Sequence, residues 1–190
     1  MIGGSHQVAI DIIYPGELSD EVYERALRNN DEVVAKLGYR FGFTHAEYMV
    51  DPQGRPFLIE IANRGGGCYT SCKIVPAVSG LDLTSQLIYD SLGIERDLFE
   101  EKGGQDHRAA YLKFFVLPPG RIAQIRGTEA ITRLTGIEAL RLRVEEGSVV
   151  SSTTSDADRH GFVIATADSR EQVKSLANQS IDMLKVTYGE

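Results

Sequence analysis

Two glutamates, Glu47 and Glu60, stand inside the two strand-like runs of "HAEYMVDPQGRPFLIEIANRGGG", residues 45–67. A carboxylate among apolar neighbours is costly to take out of water. Either the two lie at an exposed edge without a role, or something cationic lies between them. The runs flank the loop Asp51–Pro56, so a β-hairpin is predicted. Pairing outward from that loop sets Val50 against Phe57, Met49 against Leu58, Glu47 against Glu60 and His45 against Ala62. Directly opposed residues of an antiparallel pair share a face, with Cβ atoms about 5 Å apart. Like charges so placed repel, and a divalent cation between them removes the repulsion. Mg²⁺ takes one or two carboxylates and fills its other positions with water and phosphate oxygens. The pair therefore reads as a nucleotide–metal site. Tyr48, Val50, Phe57, Ile59 and Ile61 fall on the other face, the expected core face.

The residues that follow suit an anion. Arg64 joins the carboxylate face if the strand continues, and its planar fork can grip a phosphate or carboxylate through two bonds. Gly65, Gly66 and Gly67 would let backbone N–H groups approach closely. Asn63 alternates to the opposite face unless a bulge turns it. His45 is a packing or hydrogen-bonding neighbour of the pair. His107 and His160 sit in polar connections and carry no expected role. Cys68 and Cys72, four apart, are expected to be two small thiols in a reducing, cytoplasmic setting.

The elements that must position these groups are legible in outline. "QVAIDIIY" is a strand. Ser19 is a plausible N-cap for an amphipathic helix closed by Gly38. "YRFGFTHAEYMV" and "FLIEIANR" are the hairpin strands. "CKIVPAVSG" is a short helix, and Asp82 or Thr84 caps the next, which Gly93 ends. "IERDLFEEKGGQDH" connects two parts, giving domains over 1–100 and 106–190. In the second, "PPG" suggests a hairpin between "RAAYLKFFVL" and "RIAQIRG". Thr128 caps a short helix, "IEALRLRV" and "GFVIATA" are strands, and a capping box, Ser169 to Gln172, opens a closing helix through "DMLKV". The fold class is α+β, antiparallel strands flanked by helices.

Totals narrow the function. The chain has 190 residues and a formal net charge of −7. No basic tract exists for nucleic acid, and no apolar run is long enough to span a bilayer.

"FGFTHAEYMVDPQGRPFLIEIANRGGG" resembles the metal-binding hairpin of ATP-grasp ligases, where two glutamate strands joined by a turn line the ATP site. "IVPAVSGLDLTSQLIYDSLG" looks like the helix pair that follows it in that family, and "YPGELSDEVYERALRNNDEVVAKLG" like the helix before it. Residues 106–190 resemble, less specifically, the small C-terminal domain of the biotin-carboxylase-like and amino-acid-ligase branches. The resemblance implies the C-terminal half of an ATP-grasp domain plus a small α+β subdomain. It implies ATP and Mg²⁺ (or Mn²⁺) as cofactors, with Glu47 and Glu60 as metal ligands. Arg64 would contact the transferred phosphate or the substrate, beside Gly65 and Gly66. The family's third ligand, an asparagine two places after the second glutamate, is Ala62 here, and Asn63 is the nearest oxygen donor. The implied partners are a small carboxylate substrate and an amine acceptor, with a homodimer possible. The half that grips the phosphates does not fit ahead of residue 7, so this chain is expected to be inactive alone. Two rivals remain: a non-catalytic binding or dimerisation module, and a bicarbonate-activating enzyme like carbamoyl-phosphate synthase or biotin carboxylase.

Overall fold

The computed structural model describes residues 8–96 and 108–189. His107 and most of the charged connection lie outside the described residues. The chain divides into two compact units, one from residues 16–106 and the other from the N-terminal 15 residues with residues 107–190.

The unit that carries the hairpin begins with α1, Asp20–Leu37. Ser19 Oγ accepts from the Val22 N–H, and Gly38 ends the helix at φ 69°, both as the sequence predicts. Asp20 and Glu21 in the first turn and Lys36 in the last suit the helix dipole. Arg25 ties the helix to the hairpin loop by donating to the Gly54 carbonyl at 3.1 Å. The hairpin strands are β2, His45–Val50, and β3, Pro56–Ala62. Residues 39–44 are irregular rather than strand, with a bend at Phe41 and Gly42, where φ is 89°. A π-helical turn, Thr70–Ile74, leads directly into α2, Val75–Ser79, with Pro76 in its first turn. Helix α3, Leu83–Leu92, is capped by Asp82, whose Oδ1 accepts from the Ser85 N–H, and ends at Gly93.

The other unit is built on a four-stranded antiparallel sheet in the order β1-β4-β8-β6. Its strands are β1, Asp11–Tyr14; β4, Ala109–Phe114; β6, Ile137–Leu142; and β8, Gly161–Ala167. The first strand of the chain thus pairs with β4, Asp11 against Lys113, and not with the hairpin it precedes. Nearly every residue of β4 and β8 is buried, as expected for central strands with both faces covered. One face packs against the last helix, α5, Arg170–Met183, where Ala109, Tyr111 and Ala165 meet Val173 and Ala177. Burying a side chain such as Val173 is worth about 1.5–3 kcal/mol.

Four expectations fail here. "PPG" does not close a hairpin between β4 and β5 (Gly120–Arg126), because β5 lies between β7 (Val149–Val150) and β9 (Lys185–Tyr188) in a separate sheet of order β7-β5-β9. Both edges of β4 are taken, by β1 and β8. The closing helix stops at Met183, and Lys185–Tyr188 forms β9 beside β5. The short helix α4, Thr128–Thr132, is preceded by Gly127 at φ 97° and is not capped by a Thr128 hydroxyl. His160 is not in an open polar connection but buried, its Nδ1 accepting from the Leu117 N–H at 3.1 Å. Among the described residues no helix is long and apolar enough to cross a membrane.

Two positions in this unit yield expectations. Gly161 has φ 145°, and a Cβ there would sit 2.3 Å from the Arg141 carbonyl oxygen across the β8–β6 ladder. Gly161→Ala should therefore destabilise the protein by about 2 kcal/mol or more, read as a lowered melting temperature. Asp158 accepts from the Thr154 N–H and hydroxyl and from the Ser155 hydroxyl and N–H. These bonds, led by the Thr154 N–H, hold its carboxyl down to about 2. A depressed folded pKa gives stability that is present above the unfolded value and lost as pH falls towards the folded one. In acid titration the advantage of the native protein over Asp158→Ala should shrink from about pH 4 and vanish near pH 2.

Candidate functional site

The site starts from the hairpin loop. Asp51 Oδ1 accepts from the N–H groups of Gln53 and Arg55 at 3.0 and 2.8 Å, and Oδ2 accepts from the Arg55 guanidinium at 2.7 Å. The Arg55 N–H contributes most to holding this carboxyl below its ordinary range. Asp51 therefore makes a tight, self-bonded turn of the kind Asx side chains favour.

From there β2 and β3 pair with Val50 against Pro56, Met49 against Phe57 and Tyr48 against Leu58. The register then shifts by one between Glu47 and Tyr48, and Glu47 stands opposite Glu60, Ala46 opposite Ile61 and His45 opposite Ala62. The carboxylate pairing is as the sequence predicts, but the half nearest the loop is one residue off. Ile59 is the unpaired residue of a bulge. The bulge moves Phe57 onto the Glu47 face, beside Met49. Phe57 is 51% exposed and Ile59 60%, so neither lies on a buried face as expected. Tyr48, Val50 and Ile61 are half-buried, as that face requires.

Glu47 and Glu60 are thus brought together on an exposed face. Among the described residues no lysine or arginine pairs with either carboxylate. The one partner is His45, whose Nε2 lies 3.2 Å from Glu47 Oε1. A carboxylate only accepts, so Nε2–H donates. No group of three or more His, Cys, Asp or Glu side chains gathers among the described residues. That donor set, two opposed carboxylates with open coordination, fits an Mg²⁺ ion sharing phosphate oxygens and does not fit a protein-enclosed structural ion.

The other candidates are placed nearby along the chain but differently from expectation. β3 ends at Ala62, so Arg64 does not continue the strand. Arg64 is exposed, and its Nη1 donates to the Gly65 carbonyl at 2.9 Å. Asn63 lies one residue past the strand, its Oδ1 3.4 Å from where a Cβ on Gly42 would sit. Gly65 and Gly66 are packed tightly. A Cβ on Gly65 would lie 2.3 Å from Ser71 Oγ, and one on Gly66 2.6 Å from His45 Nδ1. Gly67 faces open space. Cys68 and Tyr69 follow with φ of 52° and 60°, a conformation that costs a non-glycine residue energy. Nothing in the residue types signals this left-handed pair or the π-turn it opens. The exposed Met49–Phe57 contribution to the carboxylate face was equally hidden, because it depends on the bulge.

Residues 113–189 match the family described as L-amino acid ligase C-terminal domain 2. The uncharacterized protein y4rH of Sinorhizobium fredii (strain NBRC 101917 / NGR234) is 25% identical over 179 residues, which are 94% of this chain and 36% of that protein. The crystal structure of L-amino acid ligase from Bacillus licheniformis superposes with a TM-score of 0.81 at 21% identity, covering 98% of this chain and 46% of that one. The biotin carboxylase domain of Hydrogenobacter thermophilus 2-oxoglutarate carboxylase, a dimer in complex with MgADP, ADP and bicarbonate, superposes with a TM-score of 0.67 at 15% identity. It covers 94% of this chain and 39% of that one. The chain thus spans less than half the length of each of these relatives. An antiparallel hairpin unit, a four-stranded sheet backed by a helix, and a matching C-terminal domain identify the chain as having the fold of the C-terminal portion of an ATP-grasp ligase.

Proposed function

We propose that this chain is the C-terminal portion of an ATP-dependent ligase that joins a small carboxylic acid, most simply an amino acid, to an amine. The observation that carries the reading is the opposition of Glu47 and Glu60 on an exposed strand pair where, among the described residues, no lysine or arginine pairs with either. Such a pair is destabilising in an empty hairpin and favourable around Mg²⁺. Glu47 and Glu60 would hold the ion, with Asn63 the nearest further oxygen donor along the chain. The ion would supply charge neutralisation for the phosphates of ATP.

In the proposed reaction a substrate carboxylate oxygen attacks the γ-phosphorus and ADP leaves, giving an acylphosphate. The amine nitrogen then attacks the acyl carbon, the C–O bond to phosphate breaks, and the amine gives up a proton. Arg64, exposed and one residue beyond Asn63, would hold the negative oxygens of the transferred group. The Gly65–Gly67 loop would lie beside it. As in other phosphoryl transfers, the contribution of these residues is positioning and electrostatics. The match of residues 113–189 to the L-amino acid ligase domain favours an amino-acid substrate over bicarbonate. The groups that grip the α- and β-phosphates would come from sequence outside these 190 residues, and the 190-residue polypeptide alone should not turn over ATP.

In the full-length protein, Glu60→Gln should lower kcat by about 100-fold or more and weaken Mg·ATP binding. Unchanged steady-state constants would remove the metal site. Arg64→Lys keeps the charge and loses the fork, and should cost about 10²–10³-fold in kcat with little change in the KM for ATP. Product analysis with labelled amino acids and with labelled bicarbonate tests the substrate class: label from bicarbonate in the product would overturn the amino-acid assignment.

A further inference from the structure

Gly66 and His45 are in contact for a reason that the carboxylate pair does not supply. A Cβ on Gly66 would lie 2.6 Å from His45 Nδ1 and 3.0 Å from Cε1. Only glycine leaves space for that ring edge. The other nitrogen of the same ring, Nε2, is 3.2 Å from Glu47 Oε1. Across the strand from His45 stands Ala62, a side chain small enough not to compete for the space. The imidazole is therefore a spacer with one edge on the glycine loop and one on the carboxylate. The His45 side chain is 27% exposed against 56% for Glu47, so the ring is the more fixed of the two.

We infer that His45 is a positioning residue that fixes the orientation of the Glu47 carboxylate and ties it to the position of the Gly65–Gly67 loop. By donating to Oε1, Nε2–H restricts rotation of the carboxylate and leaves Oε2 to face a ligand. Hydrogen-bonded partners behind a ligating side chain commonly set its affinity for metal by 10–100-fold. The donation exists in the neutral Nε2–H tautomer and in the protonated ring, so the role does not depend on titration. The glycine at 66 then follows from the ring: a methyl group there would push the imidazole off Glu47. Movement of the loop that begins at Arg64 would be felt at Glu47 through one rigid ring. This inference rests on the proposed metal role of Glu47.

The experiment measures Mn²⁺ affinity by electron paramagnetic resonance, with ATP present, in the full-length protein, alongside kcat, KM for Mg·ATP and melting temperature. His45→Phe keeps a ring against Gly66 and removes the donor. It should weaken Mn²⁺ by about 10-fold or more at an unchanged melting temperature. His45→Gln, which restores an N–H donor, should recover most of that loss. Gly66→Ala should reproduce the His45→Phe defect in the native background and add less than about twofold in a His45→Ala background, since coupled residues are not additive. Equal effects of Gly66→Ala in both backgrounds, or Mn²⁺ affinity within about threefold of native in His45→Phe, would overturn the inference. Glu47→Gln separates the two levels. If it too leaves Mn²⁺ affinity unchanged, the metal site itself is wrong. If it abolishes binding while His45→Phe does nothing, only the role of His45 fails.

Discussion

The register of β2 against β3 is the constraint on which the site depends. Side chains alternate faces along a strand, so a slip of one residue would carry every group on a strand to the opposite face. The pairing of Glu47 with Glu60 and of His45 with Ala62 survives because the irregularity is confined to the loop-proximal half. Two opposed carboxylates would work against this register. What works for it is the self-bonded Asp51 turn at one end, Arg25 donating to Gly54, and the half-buried Tyr48, Val50 and Ile61 on the reverse face. The hairpin holds two charges together because its other contacts fix the register that opposes them.

The bulge has a second consequence. It places Phe57 on the carboxylate face beside Met49, both well exposed. The four-stranded sheet in the other unit is the opposite kind of structure. Its central strands are nearly all buried, and in the connection before β8 His160 and Asp158 accept from backbone N–H and hydroxyl groups. Chemistry-bearing side chains are concentrated where the chain is least buried.

Much of this was legible in advance. Helix ends are governed by local chemistry, so Ser19, Gly38, Asp82, Gly93 and the Ser169–Gln172 box could be read from residue types. The Glu47–Glu60 pairing was expected as well, although the structure reaches it by another route: the loop register is one residue off and the bulge at Ile59 restores the opposition. The failures share a cause. Whether β4 pairs with β5 depends on competition from β1 and β8, which are distant in sequence. Lys185–Tyr188 is a strand because β5 offers it an edge, although its residues extend a helical pattern. Thr128 lost its capping role to a glycine whose backbone, not its side chain, makes the turn.

The sequence by itself determined the local pieces: most of the helix starts and stops, and that residues 45–62 fold back on themselves. These depend on contacts only a few residues apart. Tertiary structure alone decided which strands neighbour one another, that the first strand joins the C-terminal sheet, and that Ile59 bulges. It also decided that the glycines after Arg64 are small because Ser71 and a histidine ring press against them. Those outcomes are set by which surfaces compete for the same space, and no residue type announces its competitor.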